Sequence, residues 1–560
     1  MTSRRALPIA VVALAVAASI TSLTNGFALD DLPIIALDPR AHAFSAVWRF
    51  CCTSYWPRGY GAGLYRPLTS MLLAGEWAVG HGAPVVFHAV SIVLYALVCR
   101  AVYVLARELL EPEWAALAAA LFAVHPAHVE VVANVVGQAE LVVALAVTTA
   151  VTVYVRARRS TDGRLARRTL IGIAVLFAAA VLAKELGVGL PLLLLAAELT
   201  VVRDPRPLPA RARTVWPLAA TLAAVGVVYG VARVTAIGWL FGDTPNPALA
   251  SLPLSARAWT MVAVAGQWAR LLLWPAHLAA LYGPPGTPIL MGPDWRAAAG
   301  VAAVVGALGL ATLMRRRAPV VAFGIAWAGI AVLPVTNLLF VSGVLLAERS
   351  LFLASVGAML AVGAGVGAVA AVAPPWRYRA AIARGGIATL ALALVALGVW
   401  RSAGRQRVWR DNRTLLTQAV RDEPQSYVAH YQLAGQLFAD GHADAGEREI
   451  TLAIAQSDGY PPALAMLAQA RARAGECALA EPLWRQALAR YPGMVPDRLG
   501  LATCLLQTGD YAGARSVAVV GVSEGAWVRT FRGVIARADS AAATAADRAA
   551  AVTRREAHSP

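Results

Sequence analysis

Two carboxylates stand side by side in the run Asn25-Gly26-Phe27-Ala28-Leu29-Asp30-Asp31, where the first apolar stretch of the chain gives out. Adjacent acids at a membrane face repel each other, so in a cleft near lipid one of them has a raised pKa. A carboxylate tuned in this way is a general base for taking the proton of a hydroxyl. The plainer reading of the same pair is a solvated loop or the N-cap of the next helix.

Four further polar sets fall between or at the ends of apolar stretches. Tyr65-Arg66-Pro67-Leu68-Thr69 offers a guanidinium on a backbone stiffened by proline, suited to bidentate contact with phosphate or simply solvated. His125-Pro126-Ala127-His128-Val129-Glu130, followed by Asn134, Gln138 and Glu140, gathers imidazoles, carboxylates and amides. A divalent metal is one use for them, but the zinc-type HExxH spacing is absent, and hydrogen bonding that orients a substrate is the preferred role. Lys184, the single lysine of the chain, is followed by Glu185. A compact ammonium there can snorkel to a lipid phosphate, or pair with its neighbour and do nothing more. Glu348-Arg349, after Asn337 and Ser342, can clamp a substrate or each other.

The elements that must position these groups are membrane helices. The 560-residue chain is 59% hydrophobic and only 14% charged, against roughly 25% charged in soluble domains. Its net charge of +17 does not mark a nucleic-acid binder, because the arginines cluster between apolar spans. The clusters are Arg156, Arg158, Arg159, Arg164, Arg167 and Arg168; Arg203, Arg206, Arg211 and Arg213; Arg315 to Arg317; and Arg377, Arg379 and Arg384. The positive-inside rule makes those loops cytoplasmic, and about eleven spans starting from a cytoplasmic Arg4-Arg5 put the chain beyond Trp409 outside. A cleaved signal peptide is the lesser reading, for no clear small-x-small cleavage site precedes Asp30. Residues 25–82 form a first external loop, rich in aromatics and carrying helices that lie on the membrane surface. Residues 235–295 form a second external loop with a surface-lying helix that presents Arg257, Thr260, Gln267 and Arg270.

From Trp409 onward the pattern turns soluble and periodic. Leu433, Leu467 and Leu501 are 34 residues apart, as are Ala434, Ala468 and Ala502, and Gly441, Gly475 and Gly509. That period, with small residues at a helix crossing and glycine at a turn, is the tetratricopeptide signature. The expected division is a membrane domain over 1–405, tetratricopeptide repeats over 406–540, and a capping helix end with a disordered tail over 541–560. Cys51, Cys52, Cys99, Cys477 and Cys504 show no metal-ligand spacing. Cys477 and Cys504 can pair only if their segment lies outside the cytoplasm.

In order, Asn-Gly-Phe-x-x-Asp-Asp, Tyr-Arg-Pro-Leu-Thr, Phe87-His88, His-Pro-x-His-x-Glu, Gly137-x-Ala-Glu140, Lys-Glu and Ala347-Glu-Arg349, with the repeats after them, resemble one family. It is the transmembrane and tetratricopeptide repeat-containing protein O-mannosyltransferases with their bacterial relatives, of the GT-C glycosyltransferase fold. The resemblance implies an all-α, polytopic GT-C-like bundle ending in an α-solenoid, in the bacterial cytoplasmic membrane. It also implies inverting transfer of mannose from a polyprenyl-phosphate carrier to Ser or Thr hydroxyls of proteins outside the cytoplasm. The acidic pair then maps onto Asp30 and Asp31, one of them the base, and the donor-phosphate contacts onto Arg66, Lys184 and Arg349. His125, His128, Glu130, Gln138, Glu140, Glu185 and Glu348 are left to orient substrate. The chain departs from the family at Gln138, where an arginine is usual, at Ser350-Leu351-Phe352, where a tyrosine-containing run is usual, and in the shortness of its repeat array. A non-catalytic membrane scaffold whose repeats recruit envelope-assembly partners is the rival reading. A transporter ranks third, since its charges belong at mid-membrane rather than at span ends.

Overall fold

Inside a bilayer each backbone N–H and C=O must find its partner within its own segment, which leaves the helix as the element open to this apolar chain. The computed structural model describes residues 2–57, 63–159, 165–240, 249, 252–339, 341–342, 344–371, 377–457 and 459–557. Tyr60 and Arg164 lie outside them, and Arg4, Arg5, Arg377, Arg379 and Arg384 are described in backbone only. Among the described residues every regular element is a helix. The chain forms two compact units, Met1–Ala280 with Thr287–Gln418, and Leu281–Gly286 with Ala419–Pro560.

In the first unit seven helices are long and apolar enough to cross a membrane: Ala6–Thr24, Pro84–Leu109, Val135–Arg158, Leu208–Ile237, Trp295–Arg317, Glu348–Ala371 and Gly385–Trp409. The unit is a multi-pass membrane protein. Pro112–Ala123 and Pro126–Ala133 make an eighth span if taken together across a bend of 50°. The other three expected spans are shorter helices: Arg167–Ala183, Leu190–Thr200 and the helix beginning at Pro319. At 1.5 Å per residue Leu190–Thr200 rises about 17 Å, against a hydrocarbon thickness of about 30 Å. By length and composition, seven of the about eleven expected spans are long enough to cross among the described residues, or eight with the bent pair.

Small residues set the packing of this unit. Ala115, Ala118, Ala119, Ala123, Ala144 and Ala150 are wholly buried, which lets helix backbones approach closely where lipid supplies no hydrophobic drive. Gly324 and Gly357 face each other across one crossing, and a Cβ on either would run into the other's backbone carbonyl. Gly300 backs onto Val262 and Gly266 in the same way, so the Leu254–Leu273 helix is packed against Trp295–Arg317. Of the four polar residues expected on its surface face, Thr260 is buried while Arg257, Gln267 and Arg270 are partly exposed. Thr260 is buried and its hydroxyl accepts the Leu290 N–H at 2.9 Å.

The first external loop is folded rather than spread. Ile34, Ile35, Tyr55 and Leu73 form a small core with Phe87 and Val135 of the bundle, while Leu37, Phe44 and Trp48 stay exposed on its outside. On the helix Gln138–Arg158, Glu140 lies in the first turn and Arg158 in the last, about 27 Å apart at the α-helical rise. Arg158 is buried there against Glu198 (2.6 Å) and Asp204 (2.7 Å), and Tyr154 donates to Glu198 at 2.6 Å. The arginine-rich loops and the acid–base residues thus occupy opposite ends of one helix.

In the second unit, helices starting at Tyr427, Pro461 and Val495 each pair with one starting at Ala443, Cys477 and Tyr511. Gly441, Gly475 and Gly509 hold the turns at φ of 80°, 83° and 85°, a conformation that explains the glycine at each. Ala434, Ala468, Ala502, Ala453 and Ala487 are buried at the crossings. The last helix runs Val528–Ala557. It covers the array with Phe531, Val534 and Ala538, ahead of the segment expected to cap it, and stays helical where an irregular tail is expected.

Cys477 and Cys504 are joined in a disulfide across 27 residues of sequence. Chain-entropy arguments give such a link about 3 kcal/mol. Cys477→Ser is therefore expected to lower the unfolding free energy of this unit by about that amount in urea titrations, and to abolish the mobility shift of the full chain on reduction in gel electrophoresis.

Candidate active site

The two neighbouring acids part company at the backbone. Leu29 has φ of 48°, a left-handed conformation that a branched side chain adopts only when its surroundings force it. Its N–H is held at 2.8 Å by the Asn412 side chain. Beyond this turn Asp31 points inward and Asp30 outward. Asp31 is wholly buried, and its carboxylate accepts the N–H groups of Val136 at 2.9 Å, Val135 at 3.2 Å and Ala28 at 3.4 Å. Burial pushes its pKa up to about 7, opposed by those three N–H groups. One raised pKa in the pair is as expected, but it belongs to the acid that cannot meet a hydroxyl. The catalytic assignment of Asp31 is corrected on that ground. Asp30 keeps a third of its side chain exposed.

Around Asp30 the cations are paired in three groups. Arg349 donates from its backbone N–H (2.8 Å) and its guanidinium (2.9 Å) to Glu130, and lies 3.7 Å from Asp30. Lys184 pairs with Glu140. Arg66 donates to Glu185 at 2.9–3.0 Å and stands over the Tyr55 ring at 5.0 Å. The groups converge in space. Burial pulls the Lys184 pKa down, with Glu140 opposing and the charges of Arg66 and Arg349 adding to the fall. Burial likewise raises the Tyr55 phenol, and the charges that act on it are Arg66, Asp30, Glu140 and Asp31. Glu185 is held below the usual carboxylate range: its burial works upward but is outweighed by Arg66, Arg233 and Lys184.

Other expected substrate contacts are turned elsewhere. His125 is buried, with Nδ1 accepting the Ala127 N–H at 3.3 Å and Nε2 3.1 Å from the Leu272 carbonyl. His128 is buried between Ser355 Oγ (2.8 Å) and Tyr95 Oη (3.0 Å). Gln138 is wholly buried and donates to Glu76 (3.0 Å), the Phe87 carbonyl (3.1 Å) and Ser91 (3.2 Å). Glu348 is buried and accepts the Ala279 N–H at 2.8 Å. These four hold the bundle together and are corrected as substrate-orienting residues. Glu130, Glu140 and Glu185 instead hold cations in place. Among the described residues no three His, Cys, Asp or Glu side chains are grouped as metal ligands.

Three residues escaped sequence reasoning. Arg233 is buried on the Leu208–Ile237 helix and donates to the second oxygen of Glu185 at 3.2 Å; a charge inside an apolar span was the available signal. Tyr55 lies beneath Arg66 with its hydroxyl buried and unpartnered; nothing in its neighbours announces that. Glu76 is buried in Pro67–Gly80 beside Gln138, and burial lifts its pKa to about 8 against the Gln138 hydrogen bond. Its signal was a carboxylate in the middle of an apolar helix.

Asp31→Asn turns an amide N–H₂ toward backbone donors, so melting of the purified full chain should show a loss of about 1–3 kcal/mol, whereas Asp30→Asn should melt with the wild type. Asp31 and Glu76 also set a pH dependence. Unfolded carboxyls titrate near 4, while these two titrate at about 7 and about 8 in the fold. Their contribution to stability is complete below about pH 4 and is lost as pH rises through 7 and 8. The melting temperature should therefore fall from pH 6 to 9, and Glu76→Gln, which mimics the protonated acid, should flatten the upper part of that fall.

No protein-family model matches the chain. Curated relatives do. Protein O-mannosyl-transferase TMTC4 of Homo sapiens is 27% identical over 430 residues, covering 69% of this chain and 57% of that protein. Protein O-mannosyl-transferase Tmtc2 of Drosophila melanogaster is 33% identical over 174 residues, 30% of this chain and 19% of that protein. Protein O-mannosyl-transferase TMTC3 of Mus musculus is 28% identical over 173 residues, 30% and 18% respectively. The chain thus spans little more than half the length of the first of these and less of the others. A solved structure of an Archaeoglobus fulgidus oligosaccharyltransferase tethered with an acceptor peptide aligns with a TM-score of 0.41 and 13% identity, over 79% of this chain and 58% of that one; a likeness of that level carries no weight. By its curated matches, the chain is similar in sequence to protein O-mannosyl-transferases.

Proposed function

We propose that the protein is a membrane glycosyltransferase of GT-C type. It moves a sugar, mannose by analogy with its relatives, from a polyprenyl-phosphate donor to Ser or Thr hydroxyls of proteins. The observation that carries the reading is the position of Asp30, a partly exposed carboxylate 3.7 Å from Arg349, whose charge together with that of Arg66 also acts on Lys184. The relatives' printed name gives the class of reaction.

The chemistry follows from charge. The donor's polyprenyl tail partitions into the bilayer and its phosphate meets Arg66 and Lys184. Asp30 accepts the acceptor hydroxyl's proton as that oxygen attacks the anomeric carbon. The bond from that carbon to the phosphate oxygen breaks, and the leaving lipid phosphate carries away the negative charge, which Arg66 and Lys184 stabilise. A single displacement of this kind inverts the anomeric centre. Arg349, held by Glu130, sits at the Asp30 end, 3.7 Å from that carboxylate. The reaction belongs on the extracytoplasmic side of a bacterial cytoplasmic membrane, opposite the arginine-rich loops. The Cys477–Cys504 disulfide suits an oxidising compartment. The helical hairpins, as tetratricopeptide repeats, would hold the acceptor protein.

The test is transfer of radiolabelled mannose from polyprenyl-phosphate mannose into proteins of membranes carrying the wild type or Asp30→Asn. The expected loss is about 10²- to 10⁴-fold, the usual worth of a general base. An Asp30→Asn variant as active as the wild type, with activity abolished by deleting the hairpins, would point to the scaffold instead.

A further inference from the structure

We infer that Arg233 gives the donor-phosphate subsite its net positive charge, by neutralising Glu185 from behind so that the charge of Arg66 is left over for an anion. The inference rests on the glycosyl-transfer reading above and extends it to a residue that touches no substrate.

Arg233 lies near the end of a helix that otherwise faces outward, where Leu218 and Leu222 are the other buried residues. It is the one charged side chain buried on that helix, and a charge buried in such a span has to be accounted for by its partners. Its guanidinium donates to Glu185 Oε1 at 3.2 Å, to Tyr229 Oη at 3.3 Å and to the Gly63 carbonyl. Glu185 Oε2 is taken by Arg66. One carboxylate thus bridges two guanidiniums, one on each oxygen. The Gly63 contact also ties the strand of loop that leads into Arg66 to this helix.

The three charged groups differ in balance. Lys184 with Glu140 is neutral. Arg349 serves both Glu130 and Asp30, one cation for two acids. Arg66 and Arg233 share Glu185, two cations for one acid. The site is therefore polar along its length, negative where a proton is to be taken and positive where a phosphate is to be held. Without Arg233, Glu185 would cancel Arg66 and the cationic end would vanish. The Nε–H of Arg233 is buried without an acceptor among the described residues, so its burial is not a solution optimised for stability alone. A single surplus cation suits a lipid-linked phosphodiester, which carries one negative charge.

The claim separates charge from packing through a double substitution. In the purified full chain, Arg233→Gln should raise the KM for polyprenyl-phosphate mannose about tenfold with kcat within about threefold, as removal of a binding interaction does. Arg233→Gln with Glu185→Gln removes cation and acid together, leaves Arg66 uncompensated, and should bring the donor KM back to within about threefold of wild type. Arg233→Lys should also restore it. The double variant leaves no lone charge at positions 185 and 233, its one uncompensated cation being Arg66, and it remains informative if Arg233→Gln alone does not fold. An unchanged donor KM in Arg233→Gln, or a double variant with a KM raised about tenfold or more, overturns the inference. If the wild type transfers no sugar, the functional reading fails by itself, and binding of polyprenyl phosphate to the same variants then decides this point: weaker in Arg233→Gln and restored in the double variant supports it, and equal binding in all three overturns it.

Discussion

The site depends on a carboxylate that never meets substrate. Asp31 accepts the backbone N–H groups of Val135 and Val136, which lie in the short turn between the Val129–Ala133 and Gln138–Arg158 helices. Those N–H groups open a helix and have no carbonyl partner within it. By satisfying them, Asp31 fastens the first external loop to the break between the two helices. Glu130 lies just before that break and Glu140 just after it. Each takes a cation from elsewhere in the chain, Arg349 from one side and Lys184 from the other. The placement of Asp30 next to them follows from the bond its neighbour makes.

The helix that follows the break is used at both ends. Glu140 in its first turn and Arg156 and Arg158 in its last match the sign of the helix dipole at each end. The acid end gathers the groups of the candidate site. The basic end closes a buried cluster with Glu198 and Asp204. Short helices such as Leu190–Thr200 can exist in the bundle because their ends are met by these two clusters rather than by headgroups or water.

Much of this was legible in residue order and some of it could not be. The hairpin unit was, because its 34-residue period fixes glycines at turns and alanines at crossings, and both are local requirements. The list of charged residues at the candidate site was mostly legible too, since a carboxylate or cation at the end of an apolar span has few ordinary uses. Direction was not legible. Asp30 and Asp31 are one residue apart, and only the left-handed turn at Leu29 decides which faces the cations. Pairing across the bundle was equally hidden. Gln138 looked like a lost charge on the active face, yet it lies beside Glu76, where it needs no charge because its partner's pKa is lifted to about 8 by burial. His125 and His128 have the chemistry of a site and the surroundings of a core. Helix length was hidden too, since tertiary packing sets it and in Leu190–Thr200 it is shorter than the apolar run.

The distribution of unfavourable features argues for function at this place. Ion pairs withdrawn from water seldom stabilise more than apolar side chains of equal volume would, because the loss of hydration exceeds much of the attraction. Here Glu130, Glu140 and Arg233 are nearly inaccessible, and the acids and cations come from six separate stretches of chain. The left-handed Leu29 and the unpartnered hydroxyl of Tyr55 fall in the same neighbourhood. A bundle that packs its helices through alanine and glycine elsewhere had the means to fill this space with the same residues. That it holds instead a charged, strained and incompletely bonded group around one accessible carboxylate is what selection for chemistry leaves behind, and selection for stability alone does not.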